Sequence, residues 1–407
     1  MIVSLTSARY DIYSLSKERD PRMKILITTD LFTTATNGVV TSVRNLWNEL
    51  KNRGHDVRIL TLSDKMKSHK DGDVYYIRSV SLQAVYPNVR MPTTYRHHLI
   101  EELIRWKPDV IHSQCEFFSF QFALRIAKHT DAPIIHTYHT LYEQYIPYVL
   151  PGKKLGQNLV RVLSRKRLEN VDRVIVPSYK VEDTLLEYGL FNTICVVPSG
   201  ISLEQHRQRI TPEERSAKRQ SLGISDDQIV FLNLGRLGTE KNLDELLSYF
   251  AEAAGRRSDI VFLLVGDGPA RTQLTRQAQT LGIDDRVIFA GMVRPEEVHK
   301  YYQLGDVFIS ASTSETQGLT YVEAAANGLP LLCKQDRCLK NVLFPGENGY
   351  EFNNPEEFLS GADSIADDPE WRIRAGHRSE EIAAAFDKGS FADTMEGIYQ
   401  SVAAGRI

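Results

Sequence analysis

Two cations and two carboxylates stand at spacings that suit a nucleotide diphosphate. Arg236 and Lys241 lie five residues apart in Leu234-Gly235-Arg236-Leu237-Gly238-Thr239-Glu240-Lys241-Asn242, a glycine-containing loop between a strand and a helix. A planar guanidinium fork and an ammonium point charge divide the labour on a pair of phosphates. Together they would neutralise a leaving diphosphate without a bound metal, the electrostatic task otherwise given to Mg²⁺. A solvated basic loop would carry the same residues. Glu315 and Glu323 follow, eight apart in Ser312-Thr313-Ser314-Glu315-Thr316-Gln317-Gly318-Leu319-Thr320-Tyr321-Val322-Glu323-Ala324. That spacing leaves Glu315 in a loop and sets Glu323 about one turn into a helix, whose first N–H groups and positive dipole end favour phosphate. A carboxylate so placed can accept both hydroxyls of a ribose, or it can simply complement the helix dipole.

Between these pairs, Gly266 and Gly268 in Val265-Gly266-Asp267-Gly268-Pro269 permit close approach of backbone to a ligand. By itself the stretch signals only a turn. In the first half, Thr36-Asn37-Gly38-Val39-Val40-Thr41-Ser42 leads from a strand into a helix, and His139 stands in His136-Thr137-Tyr138-His139-Thr140. From residue chemistry alone these are a turn and a core histidine. His97-His98 and His136-x2-His139 lack the spacing and carboxylate company of a zinc site, so no metal site is expected.

Short apolar strands alternating with amphipathic helices must position these residues, the α/β pattern of parallel sheets with helices on both faces. Strands are expected at 25–28, 56–62, 74–77, 110–112, 134–138, 174–177 and 194–197, with helices near 38–53, 93–106, 119–129, 155–170 and 179–188. A second strand series is expected at 230–235, 261–266, 287–290, 307–310 and 331–333. A chain of 407 residues is too long for one ordinary core, so two Rossmann-like domains are expected, 23–198 and 199–387. Facing each other, they would set their strand ends on a shared cleft. Phe391, Met395, Ile398, Tyr399 and Val402 fall on one helical face, so the C-terminal segment must dock on something.

No segment approaches the roughly 18 consecutive apolar residues of a membrane span. Residues 1–22 carry Asp11, Lys17, Glu18, Arg19, Asp20 and Arg22 without an apolar core, and read as a disordered extension rather than a signal peptide. Cys115, Cys195, Cys333 and Cys338 form no metal spacing and imply a reducing, cytoplasmic setting without disulfides. The net charge of −3 divides into +7 over residues 1–198 and −10 over the rest, so an anionic partner is expected on the first half.

Taken together, Gly235-Arg236…Lys241, Gly266-Asp267-Gly268-Pro269 and Glu315-x7-Glu323 closely resemble glycosyltransferase family 4, over about residues 23–404. The resemblance implies a GT-B fold whose C-terminal helix, 388–407, crosses back to the N-terminal domain, and retaining transfer from a nucleotide-diphosphate sugar. It implies that Arg236 and Lys241 hold the diphosphate and that Glu315 lies by the sugar hydroxyls. Gly318, Leu319 and Thr320 would face the phosphates, Glu323 the ribose, and Gly268 the donor. Asn37 and Gly38 match the glycine loop that touches donor phosphate and acceptor, with one glycine where many members have two. His139 matches the histidine near the reacting sugar, where it would bond a hydroxyl and stabilise positive charge through its carbonyl rather than act as a base. No cofactor is implied; the UDP-sugar is a substrate, and Mg²⁺ would at most stimulate.

Within the family, Asn37–Val43, Tyr138-His139-Thr140-x-Tyr142-x-x-Tyr145 and Glu315–Tyr321 resemble bacterial diacylglycerol α-glucosyltransferases, which implies UDP-glucose or UDP-galactose as donor and a membrane lipid as acceptor. Residues 151–173 agree: Lys153, Lys154, Arg161, Arg165, Lys166, Arg167 and Arg173 outweigh Glu169 and Asp172 by +5, interleaved with Leu155, Leu159, Val162, Leu163 and Leu168. A basic amphipathic helix of this kind lies in an anionic membrane interface, although an ordinary surface helix can share its composition. The expectation is a cytoplasmic hexosyltransferase, peripheral on the inner face of the cell membrane. Its partners would be a nucleotide sugar, an anionic surface and a lipid acceptor, without nucleic acid. A glycolipid, polysaccharide or soluble acceptor is the alternative within the enzyme class, and a nucleotide-sugar-binding module the alternative outside it.

Overall fold

A computed structural model describes residues 22–32, 37–82, 89–141, 153–190 and 193–405. The extension read at 1–22 lies outside the described residues except for Arg22, as do Thr36, Tyr142 and Tyr145.

The first unit has strands β1 (Lys24–Thr28), β2 (Asp56–Ser63), β3 (His69–Asp71), β4 (Val74–Ser81), β5 (Arg90–Pro92), β6 (Val110–Ser113), β7 (Ile134–Thr137), β8 (Arg173–Val176) and β9 (Ile194–Val196). Its helices are α1 (Gly38–Asn52), α2 (His98–Trp106), α3 (Phe118–Thr130), α4 (Lys153–Leu168) and α5 (Tyr179–Glu187). The strands run in the order β3-β4-β2-β1-β6-β7-β8-β9, with β5 also on β4. All these pairings are parallel except β3–β4 and β4–β5.

After α6 (Leu203–His206) and α7 (Pro212–Ser221), the second unit follows, with β10 (Ile229–Leu234), β11 (Ile260–Val265), β12 (Val287–Gly291), β13 (Val307–Ser310), β14 (Leu331–Lys334) and β15 (Gly349–Phe352). The helices here are α8 (Leu243–Arg256), α9 (Arg271–Leu281), α10 (Val298–Tyr302), α11 (Leu319–Ala326), α12 (Pro355–Asp367) and α13 (Pro369–Ala383). The sheet is wholly parallel, in the order β12-β11-β10-β13-β14-β15.

Apolar runs form most of these strands because helices cover both faces of each sheet, so in the central strands neither side chain parity meets water. In β11 all six residues of Ile-Val-Phe-Leu-Leu-Val are buried. Each sheet accordingly has two apolar clusters, one per face. The last helix, α14 (Lys388–Ala403), returns to the first unit and buries Phe391, Met395, Ile398 and Tyr399 in the cluster containing Val43, Leu46 and Leu50 of α1. Arg53 fastens it, donating to Asp393 at 2.5 Å, Glu396 at 3.1 Å and the Gly389 carbonyl at 2.7 Å. The two chain segments joining the units cross each other, with Ile201 bonded to Phe386 and Lys388. A Cβ on Gly200 would stand 2.5 Å from Lys388 Cα, so only glycine fits that crossing.

One expected boundary needs correction, and several elements lie outside the expected set. The helix expected from residue 93 starts at His98, because Pro92 belongs to β5 and His97, in extended conformation, caps Leu99 N–H. Strands β3, β5 and β15 were not expected; they are short, and β3 is wholly polar. Helix α7 also lay outside the expected elements; it is opened by a capping box of Thr211 and Glu214 with Pro212 in its first turn, a signal legible in the sequence. Among the described residues, no helix is long and apolar enough to cross a membrane.

Candidate functional site

Strand order reverses at β1, between β2 and β6, and again at β10, between β11 and β13. At such points neighbouring loops leave in opposite directions and open a crevice at the carboxyl ends of the strands. Asn37 and Gly38 follow β1, Arg236 and Lys241 follow β10, and Glu315, Gly318, Leu319, Thr320 and Glu323 follow β13. The two crevices meet. A Cβ on Gly38 would stand 3.4 Å from Leu319 Cδ1, Ser178 donates to the Thr316 carbonyl, and Lys180 reaches the Thr313 carbonyl at 2.7 Å and Asp336 at 2.5 Å.

Lys241 Nζ donates to Glu315 Oε1 at 2.5 Å, and Ser312 Oγ donates to the same oxygen at 3.1 Å. Asn242, in the left-handed region at φ 50°, donates from its side chain to the Ala311 carbonyl at 3.1 Å, tying one switch loop to the other. Arg236 donates to Glu240 at 2.5 Å and keeps a half-exposed side chain. Each of the two cations is thus paired with a carboxylate, Arg236 with Glu240 and Lys241 with Glu315.

Packing within the second unit itself requires Gly266 and Gly268. At φ 131°, Gly266 would carry a Cβ 1.9 Å from the Gly235 carbonyl oxygen, and Gly268 one 2.4 Å from that of Leu237. The close neighbour is the Arg236 loop, stitched on by Gly235 N–H to Val265 O, Leu237 N–H to Asp267 O and Ala270 N–H to Leu237 O, at 2.9–3.0 Å. The glycines hold the cation loop in place.

Gly318 opens α11 at φ 74°, where a Cβ would strike the Tyr321 ring. Leu319 packs against the second unit's core, and the Thr320 carbonyl receives the Tyr302 hydroxyl at 3.4 Å. Tyr302 also donates to Glu323 Oε2 at 2.8 Å. Desolvation outweighs that bond and pushes the Glu323 carboxyl up to about 7.

On the other wall, Asn37 accepts from Val40 N–H at 3.0 Å and caps α1. His139 lies just past β7, its Nε2 2.7 Å from Gln114 Oε1. Burial first, then neighbouring His136, drops its pKa to about 3, so the imidazole is neutral and no useful base at physiological pH. On α4, Ser164 and Leu168 face inward, while Val162 (60% exposed) and Leu163 (43%) point to solvent among exposed Arg161, Arg165 and Lys166. The apolar residues of the helix thus serve two faces. Arg165 pairs with Glu169, and Arg167 lies over the exposed ring of Phe117. The side chains of Lys153 and Lys154 lie outside what the structure describes.

Two glutamines escaped the sequence reading. Buried Gln317 donates to the Ser199 carbonyl at 2.9 Å and accepts from Ser199 N–H at 2.8 Å, while Ser199 Oγ meets Ser42 Oγ at 2.8 Å. It joins the β13 loop, the inter-unit segment and α1. Gln114 contacts His139. A glutamine inside an apolar-flanked motif is the only hint the sequence offers of either role.

The chain matches two family models, Glycosyltransferase Family 4 over residues 36–205 and Glycosyl transferases group 1 over residues 214–381. It is 38% identical to alpha-monoglucosyldiacylglycerol synthase of Streptococcus pneumoniae over 79% of this chain and 73% of that protein. The protein of the same name from Acholeplasma laidlawii is 30% identical over 93% of this chain and 96% of its own length. Among solved structures, the Anabaena protein HepE in complex with UDP and glucose superposes with a TM-score of 0.74 at 16% identity, covering 93% of this chain and 100% of that one. Sucrose-phosphate synthase from Thermosynechococcus elongatus gives a TM-score of 0.74 at 22% identity, covering 94% and 100%.

Proposed function

The chain belongs to glycosyltransferase family 4, and we propose on that ground that it transfers glucose, with retention, from UDP-glucose to diacylglycerol at a membrane surface. It is a GT-B hexosyltransferase, two Rossmann-like units on one cleft. The observation that carries the lipid acceptor is the likeness to two alpha-monoglucosyldiacylglycerol synthases, one of them along nearly the whole of both chains.

In this reading residues 199–387 hold the donor, and residues 23–198 with the returning helix hold the acceptor. Arg236 and Lys241 neutralise the charge that grows on the leaving diphosphate, and the positive end of α11, at Gly318, Leu319 and Thr320, adds to it. Glu315 holds Lys241 on one oxygen and accepts from a sugar hydroxyl on the other. Glu323 accepts from the ribose. Retention places the acceptor hydroxyl on the face the diphosphate leaves, so its proton passes to a diphosphate oxygen as the new glycosidic bond forms. Neutral His139 lends its carbonyl to the positive charge on the sugar ring. Asn37, with its side chain engaged in the α1 cap, and Gly38 contribute backbone to the donor phosphate. Arg161, Arg165 and Lys166, with Val162 and Leu163 between them, rest on anionic lipid, and Lys153, Lys154 and Arg167 add charge to the same helix.

Purified protein given labelled UDP-glucose or UDP-galactose tests this, with diacylglycerol in phosphatidylglycerol vesicles as one acceptor and soluble sugars as the other. The expected product is glucosyl diacylglycerol with the small anomeric proton coupling of an α linkage. Transfer to soluble sugars with none to diacylglycerol would overturn the lipid reading.

A further inference from the structure

A chain of buried side chains runs from His139 to the C-terminal helix. Beyond the 2.7 Å contact between His139 Nε2 and Gln114 Oε1, the Gln114 amide nitrogen lies 3.0 and 3.1 Å from the two ring nitrogens of His112. His112 Nδ1 stands 2.6 Å from the Tyr399 hydroxyl, and its Nε2 stands 2.7 Å from Thr137 Oγ1. His112, Gln114, Thr137 and Tyr399 are all buried. Strand β6 supplies His112 and, one residue past its end, Gln114. Strand β7 supplies Thr137 and leads to His139, and Tyr399 arrives from α14. The β6–β7 ladder and the apolar face of α14 hold these elements without the chain. Buried polar groups cost stability unless each is satisfied, and a linked set fixes a single arrangement.

We propose that Gln114, His112 and Tyr399 are positioning residues for His139, fixing its ring orientation and keeping its proton on Nε2. The proposal rests on the reading of His139 as the residue beside the reacting sugar. A carboxamide oxygen only accepts, so a ring nitrogen facing it must carry the proton, leaving Nδ1 unprotonated as an acceptor. His112, engaged by a hydroxyl at each ring nitrogen, forms a rigid base under the amide, so Gln114 presents its oxygen and not its nitrogen. Tyr399 closes the set. The helix that returns from the second unit thereby completes the wall opposite the donor, and His139 reaches its working geometry only with α14 in place.

Two near-isosteric variants test this. Tyr399→Phe removes one oxygen, and Gln114→Met removes the acceptor at unchanged length. Turnover should fall about tenfold in Gln114→Met and several-fold in Tyr399→Phe, the scale of one buried hydrogen bond, with donor KM within twofold of the parent. ¹⁵N spectra of histidine-labelled protein, with His139 assigned by its loss in His139→Asn, read the tautomer directly. The parent should show a protonated Nε2 and an unprotonated Nδ1; both variants should move toward a tautomer average. A protonated Nδ1 in the parent, or an unchanged His139 signal in Gln114→Met, overturns the proposal. A change in Gln114→Met but none in Tyr399→Phe overturns its helix leg. Parental turnover in His139→Asn would sink the reading of the site, while the spectra still decide what Gln114 does.

Discussion

Replacing Lys241 by Met probes the cation site most directly. Its ammonium stands 2.5 Å from Glu315, with the two side chains 26% and 17% exposed. At an effective dielectric of about 20 the direct attraction at that distance is about 7 kcal/mol, most of which is returned as desolvation. Partial exposure screens the remainder, so the folded state should lose only about 1–2 kcal/mol. Turnover has more to lose. In the proposed reading the ammonium faces charge that grows on the leaving diphosphate, so its removal should lower kcat/KM by about 10² or more, some 2.7 kcal/mol in the barrier. Steady-state kinetics with UDP-glucose, run beside calorimetric Tm, separates the two effects. A second substitution sharpens the test, because Glu315→Gln discharges the carboxylate that Lys241 balances. The double variant should recover the lost stability without recovering turnover. Turnover within threefold of the parent in Lys241→Met, or recovered turnover in the double variant, would show that the pair serves the fold alone.

Glu323 should impose the acidic limb on donor binding: its pKa is raised to about 7 by desolvation, and ribose hydroxyls bond best to the ionised form. Donor affinity should therefore fall as pH drops below about 7, approaching tenfold per pH unit, and Glu323→Gln should flatten the profile at the cost of affinity; a parent profile level from pH 5.5 to 8 would refute this. If Arg236 and Lys241 supply the positive charge as proposed, activity should persist in EDTA, and a complete block reversed by Mg²⁺ or Mn²⁺ would contradict that assignment. Changing Arg161, Arg165 and Lys166 to Glu should weaken sedimentation with anionic vesicles by about a hundredfold or more, at about 1 kcal/mol per basic residue. Equal binding by the variant would make α4 an ordinary surface helix. Gln317→Ala should lower thermal stability by leaving the Ser199 N–H and carbonyl unpaired, about 2 kcal/mol; an unchanged calorimetric Tm would mean that the inter-unit segment is held by its other bonds.

The alternation of buried strands with amphipathic helices was legible because parallel strands are apolar on both faces and short, and because each helix needs one apolar stripe. That local pattern placed, within a few residues, twelve of the fifteen strands among the described residues, and set Arg236, Lys241, Glu315 and Glu323 on loops or in the helices that follow strand ends. It could not find β3, β5 or β15, whose pairing comes from neighbouring strands more than from their own residues. The sequence also contained the candidate cations and carboxylates, but not their partners. Lys241 meets Glu315 across 74 residues, Ser199 meets Gln317 across 118, and His112 meets Tyr399 across 287. Spacing within a helix or strand governs which residues share a face over a few turns; it says nothing about which loops the sheets bring together. Only the closed fold, with its two reversals of strand order and its returning helix, decided that the glycines of Gly266–Gly268 serve a neighbouring loop and that a C-terminal tyrosine reaches toward His139.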